Sequence, residues 1–239
     1  GKTEAAWALK NLARNNADNK IAIARAEAVE PLVQLLRTGD AAGKTQAAWM
    51  LRILAVIDDT ETTIVRAGAV EPLVELLWTG DAAGKTRAAW ALSNLAWNAD
   101  NKITIERAGA VGPLVKLLRT GDISGKTQAA EALCNLGVNE DNEIAIVRAG
   151  AVDAGAVEPL VELLWTGDAA GKTRAAWALS NLAWNADNKI TIERAGAVGP
   201  LVKLLRTGDI SGKTQAAEAL CNLGVNEDNE IAIVRAGAV

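Results

Sequence analysis

The tripeptide Gly-Lys-Thr begins at Gly1, Gly43, Gly84, Gly125, Gly171 and Gly212, so the chain repeats itself at intervals of 42, 41, 41, 46 and 41 residues. A tandem unit of about 40 residues is a single supersecondary element that cannot bury its apolar face alone. Such units bury that face against their neighbours, and the core grows with repeat number instead of closing into a globule. This is how 239 residues with no Phe and no Tyr are expected to fold, with Leu, Val, Ile and Ala supplying close helix packing.

A longer identity lies over the period. Ala67–Val152 returns letter for letter as Ala154–Val239, with Asp153 between the copies. Independent selection would let solvent positions such as Lys102 and Lys189 drift, yet these match. The copy number therefore changed recently. Five residues, Asp-Ala-Gly-Ala-Val, are added at the junction, and inside a helix they would impose a rotation of about 140°. They are expected to loop out, or to lengthen a helix and kink the array near Asp153.

One unit shows the wiring. Asp100 is placed to cap a short first helix over Asn101–Ala108, which Gly109 stops in a left-handed conformation. A second helix starts near Val111 with Pro113 in its first turn, where a missing N–H costs nothing. It carries Leu114, Val115, Leu117 and Leu118 inward and ends at Gly121. Asp122 caps a third helix reaching roughly Val138. No segment alternates with period 2 over strand length, so no sheet is expected.

These residues resemble the armadillo repeat: a short helix, then Ala-Val-Glu-Pro-Leu-Val-Glu-Leu-Leu at 69–77, then Ala-Ala-Trp-Ala-Leu-Ser-Asn-Leu-Ala at 88–96. The resemblance implies an all-α fold, a right-handed superhelical solenoid of three-helix armadillo repeats. It covers 1–239 as one domain of about five repeats with partial terminal ones. The Trp-x-x-x-Asn of the third helix is similar to the peptide-contacting motif of importin alpha. Uniform repeats, missing aromatics and the letter-for-letter copy resemble an engineered or recently duplicated array, and the opening Gly1 fits the first of these. The chain begins within a third helix and stops after a first one, which predicts uncapped ends and head-to-tail self-association.

Composition narrows the chemistry. The chain has no histidine, which removes the commonest general base and most zinc sites, so neither catalysis, a metal nor a cofactor is expected. Cys134 and Cys221 occupy equivalent places two repeats apart. That puts them on the order of 20 Å from one another, too far for a disulfide, and they read as small side chains at a helix surface. A net charge of −4 argues against nucleic acid, and no apolar run is long enough to span a membrane. With no secretory signal at its start, a natural chain of this kind is expected inside the cell, in cytoplasm or nucleus. Gly80-Asp-Ala-Ala-Gly-Lys-Thr86 suggests a phosphate-binding loop, but only three residues separate its first glycine from Gly-Lys-Thr, and a helix comes before it. An Asp-capped helix with a close-packing glycine is the better reading.

The third helix has one face that differs from the rest. At about 100° per residue, Trp90, Asn94, Trp97, Arg87, Ser93 and Thr86 fall on one side, opposite Ala88, Leu92, Leu95 and Ala96. Along the chain the stripe reads Trp7 with Asn11, Trp49 with Ile53, Trp90 with Asn94, Glu131 with Asn135, Trp177 with Asn181 and Glu218 with Asn222. Exposed indoles of this kind need a cover. An amide can pair with both polar groups of a peptide unit, and an indole can cover an aliphatic stem. The armadillo resemblance puts this stripe in a concave groove that binds an extended peptide or disordered segment. Its candidate residues are Trp7, Asn11, Trp49, Arg87, Trp90, Asn94, Trp97, Asn135, Arg174, Trp177, Asn181, Trp184 and Asn222. An asparagine ladder that only ties repeats together is the alternative, and would fit a scaffold without a specific ligand. Lys10, Arg14, Arg52, Arg87 and Arg174 outnumber Glu4, Glu131 and Glu218, which favours a mixed or mildly acidic peptide over a basic localisation signal. Trp78 and Trp165, at the ends of second helices, read as edge packing.

Overall fold

The computed structural model describes residues 1–13, 16–25, 27–57, 60–137 and 155–224. Every regular element among them is a helix, fifteen in chain order. The junction residues 149–154 and the chain end near Val239 lie outside the described residues. First helices are α2 (Ala17–Arg25), α5 (Thr60–Arg66), α8 (Ala99–Arg107) and α13 (Ala186–Arg194). Second helices are α3 (Val29–Thr38), α6 (Val70–Thr79), α9 (Val111–Thr120), α11 (Val157–Thr166) and α14 (Val198–Thr207). Third helices are α1 (Lys2–Ala13), α4 (Ala41–Leu54), α7 (Ala82–Leu95), α10 (Ile123–Gly137), α12 (Ala169–Leu182) and α15 (Ile210–Gly224). The chain divides into two compact units, Gly1–Leu114 and Val115–Val239.

Local chemistry explains each boundary. Second helices begin with Val-Glu-Pro or Val-Gly-Pro, and the proline sits where no intrahelical N–H is needed. Leu114, Val115, Leu117 and Leu118 are buried, as the pattern required. Each second helix is followed within two residues by an Asp that caps the third. Asp40, Asp81, Asp122, Asp168 and Asp209 each accept at 2.7 Å from the backbone N–H three residues on, which belongs to the glycine of Gly-Lys-Thr. The tripeptide is thus a helix start, and no phosphate loop exists there.

Its other two residues reach along the stack. The threonine hydroxyl donates back to its own helix, as Thr45 does to the Ala41 carbonyl at 2.8 Å and Thr127 to the Ile123 carbonyl at 2.7 Å. That fixes the oxygen against the following third helix, where a Cβ at Gly84 would stand 3.2 Å from Thr45 Oγ1 and one at Gly171 only 2.9 Å from Thr127 Oγ1. The lysine turns to the next second helix: Lys126 meets Glu162 at 2.9 Å, and Lys44 meets Glu75 at 3.8 Å.

The first helices correct the sequence reading. α8 is capped by Asn98, whose Oδ1 accepts from the Asp100 and Asn101 N–H groups, and Asp100 lies inside the helix. Asn101 is buried and donates to the Leu95 carbonyl at 3.2 Å, tying the helix to the end of α7. Lys102, expected in solvent, is also buried. A short helix covered by its neighbours leaves little outer surface, which the composition of a single repeat does not show.

Gly68, Gly109 and Gly196 end first helices with φ between 76° and 78°, as the left-handed stop requires, and Gly155 has the same conformation at 76°. The first repeat has Glu27 at this place with φ 54°. A side chain in that region costs on the order of 1 kcal/mol. Glu27→Gly is therefore expected to raise the unfolding free energy by about 1 kcal/mol, measured by urea denaturation. Unchanged or lower stability would show that the first repeat does not hold this conformation.

Candidate functional site

Third helices pack on third helices, α1 on α4 and α4 on α7 in the first unit, α10 on α12 and α12 on α15 in the second. This flanking on both sides narrows the open face. Ala88, Leu92, Leu95 and Ala96 are fully buried as expected, but so is Ser93, and Thr86 is nearly so. The wheel assigned those two to the open stripe because it treats a helix as having one covered side. In the second unit, the equivalent Ser180 shows what the position does. Its carbonyl and hydroxyl both accept from Asn222 Nδ2, at 3.1 and 3.0 Å.

The asparagines follow the same pattern. Asn94 Nδ2 donates to the Arg52 carbonyl at 3.1 Å, and Asn181 Nδ2 donates to the Cys134 carbonyl and sulfur at 3.3 Å. Each amide thus spends an N–H on the end of the preceding third helix. Asn135 is buried, whereas Asn11 is exposed. Cys134, expected at a helix surface, is buried in this interface, while Cys221 is exposed, and both are free thiols.

Nor are the indoles uniformly bare. Trp49, Trp90 and Trp177 are half-buried, while Trp7 is 54% exposed. Trp97 and Trp184 lie beyond the ends of α7 and α12 and are about 70% exposed, the barest of the set. In the first unit the covered rings are covered by cations. Arg52 on α4 stacks 3.7 Å from the Trp90 ring of α7, and Arg87 on α7 stacks 3.8 Å from the Trp49 ring of α4. Lys10 on α1 lies 4.5 Å from the centre of the Trp49 ring. Each contact is worth on the order of 1 kcal/mol and tethers one repeat to the next.

Burial of these cations has an electrostatic consequence. Desolvation, and secondarily Arg87, pushes the Arg52 pKa down to about 10, and desolvation lowers that of Arg87. Arg52 Nε is buried with no hydrogen-bond partner. No carboxylate pairs with Lys10, Arg52 or Arg87 among the described residues.

The second unit differs although Arg174 lies in the identical copy. The preceding repeat there carries Glu131 in the place of Trp49, and Arg174 Nη2 meets its carboxylate at 2.9 Å. Arg174 keeps a looser contact with its own Trp177 at 5.7 Å, matching the 5.9 Å of Arg87 to Trp90. Burial raises the Glu131 pKa and Arg174 opposes the rise.

Three more groups on this face are absent from the sequence reading. Gln46, Gln128 and Gln215 stand three residues before Trp49, Glu131 and Glu218, and each has a buried Oε1 without a partner. They alternate with Arg87 and Arg174 in the same position, which was the available signal. Trp78 and Trp165 are edge residues, as read. Trp165 lies beneath Lys203 and against Gly199 of the next second helix, and Trp78 lies against Gly112. Where arginine replaces them, Arg37 and Arg119 donate to the Gly68 and Gly155 carbonyls. An apolar cavity of about 850 Å³ lies on the other side of α1 from Trp7 and Asn11, lined by Leu9, Leu12, Ile23, Leu32 and Leu35 among others. No cluster of acidic, Cys or His side chains fit to hold a metal occurs among the described residues, and no helix there is long and apolar enough to cross a membrane.

Comparison with known proteins agrees with this architecture. The family model described as the plant U-box protein ARM repeat region matches residues 2–239. No curated relative matches the chain. Among solved structures, one engineered protein is 35% identical with a TM-score of 0.82, covering 94% of this chain and 92% of its own. Another is 37% identical with a TM-score of 0.80, covering 93% and 90%. A designed armadillo repeat protein in complex with the peptide (KR)4 is 29% identical with a TM-score of 0.76, covering 92% of each chain.

The Glu131 environment gives a pH test. A carboxyl whose pKa is raised on folding favours the folded state most below its unfolded value, and that contribution is lost as pH rises through the folded value. Replacing it with a neutral amide removes the desolvation cost that exists only at higher pH. Glu131→Gln should therefore compare better with the parent at pH 7 than at pH 4, in paired urea denaturations. The reverse order would mean that Arg174 outweighs burial.

Proposed function

We propose, since the chain belongs to the armadillo-repeat family, that its third-helix faces hold an extended segment of another protein. Armadillo arrays are protein-interaction scaffolds, and a designed relative is seen with a peptide. The observation that carries the reading is the pairing of Asn94 with Trp90 and of Asn181 with Trp177. Each asparagine uses its NH2 group on the preceding helix. At Asn94 the amide's oxygen and second hydrogen are the complement of one peptide unit, and at Asn181 the oxygen offers an acceptor. The half-buried indole beside it offers a platform for the side chain that follows. An extended strand presents alternate side chains to one side about 6.6 Å apart, so one bound segment can address more than one repeat. The reaction repertoire is binding alone.

A second reading is supported by the same hydrogen bonds: the ladder ties repeats together in a scaffold with no ligand. Tryptophan-fluorescence titration with peptides separates the two. Asn94→Ala together with Asn181→Ala should weaken binding about tenfold to thirtyfold and lower stability by on the order of 1 kcal/mol per site. Leu92→Ala should cost about 2–5 kcal/mol of stability and leave the affinity of the folded fraction intact. If the asparagine variant binds as tightly as the parent, the amides are structural and the groove reading fails.

A further inference from the structure

The two identical copies act as a natural experiment on one arginine. In the second unit Arg174 has Glu131 before it, and its guanidinium takes the carboxylate at 2.9 Å. In the first unit Arg87 has Trp49 before it, and the guanidinium lies over the ring face at 3.8 Å instead. Stacking engages the face of a guanidinium and leaves its in-plane N–H donors available, and those donors match a carboxylate in a fork. Arg52 stands next to Arg87 on the same face, with its own Nε unpartnered. Two cations side by side, both partly desolvated and with no carboxylate paired to either among the described residues, repel one another. An incoming carboxylate would relieve that repulsion.

Resting on the peptide-binding reading above, we infer that the face between α4 and α7 is an acidic-side-chain subsite: Arg52 and Arg87 clamp a Glu or Asp of the bound segment, laid between the Trp49 and Trp90 rings. Glu131 fills the corresponding place in the second unit from within the chain. The acidic ligand is therefore selected by the first unit alone, and Glu131 marks where an external acid is excluded. A basic segment such as the one bound by the designed relative would meet the two arginines with like charge.

The probe is an acetylated, amidated peptide of about ten residues with alternating Glu and Ala, so that in an extended chain every Glu falls on one side. Its Gln–Ala counterpart is the neutral control, and calorimetric titration with the full chain gives affinity and stoichiometry. The Glu peptide should bind about tenfold to hundredfold more tightly than the Gln peptide, and lose most of that margin when salt is raised. Arg87→Gln should remove the margin and bring the two affinities together, whereas Arg174→Gln should keep the Glu-to-Gln ratio of the parent. Trp49→Glu supplies an internal acid in the manner of Glu131 and should also abolish the preference. Equal affinity for the two peptides, or equal effects of Arg87→Gln and Arg174→Gln, would overturn the subsite. In that case an Asn94→Ala loss of Gln-peptide binding would show that the groove itself still stands. If neither peptide binds, the subsite and the peptide-binding reading fall together.

Discussion

Where one third helix meets the next, a threonine hydroxyl occupies the space that a side chain on the opposing helix would need. Thr3 faces Gly43, Thr45 faces Gly84, Thr127 faces Gly171 and Thr173 faces Gly212, with oxygen-to-Cβ spacings of 2.9 to 3.2 Å had the glycines carried one. The hydroxyls of Thr45, Thr127 and Thr173 are each held by a bond to their own helix, and the glycine N–H groups are held by the capping Asp residues. Both partners are therefore fixed before they touch. Close approach of the two backbones lets the Asn94 and Asn181 amides reach the preceding helix, and it brings the rings of one helix under the guanidiniums of the next. The face proposed to hold a segment follows from that approach.

Because neighbouring third helices meet in a fixed register, the chemistry at each step depends on a pair of positions rather than on one repeat. Arg87 and Arg174 have the same sequence around them, yet one rests on an indole and the other on a carboxylate. The difference comes from the residue 38 positions earlier in the first case and 43 in the second, at Trp49 and Glu131. A repeat array can thus vary the partner of a guanidinium by changing one residue in the preceding unit, without touching the unit that supplies the cation.

Much of this was legible in the sequence. The Gly-Lys-Thr period, the Pro-started second helices, the Asp caps and the left-handed glycines each follow from local rules, and the described helices begin and end close to where those rules put them. The inward Ala88, Leu92 and Leu95 also followed from helical spacing. Ser93, Thr86, Lys102 and Cys134 did not, because their burial comes from neighbours about 40 residues away and a wheel drawn on one helix has no place for them. The cation stacking was hidden for the same reason. Trp49 and Arg87 lie in different repeats, and their meeting depends on register, which composition and spacing within a repeat do not contain.

The claim that the threonine–glycine contact sets helix approach is tested most directly by a double-mutant cycle at Thr127 and Gly171, followed by urea denaturation. Gly171→Ala should be destabilising by about 1–3 kcal/mol in the parent, and Thr127→Ala should recover part of that loss, giving a coupling of about 0.5–3 kcal/mol. If Gly171→Ala costs the same whether or not Thr127 keeps its hydroxyl, the two helices are not held apart by this contact, and the register on which the binding face depends must come from elsewhere.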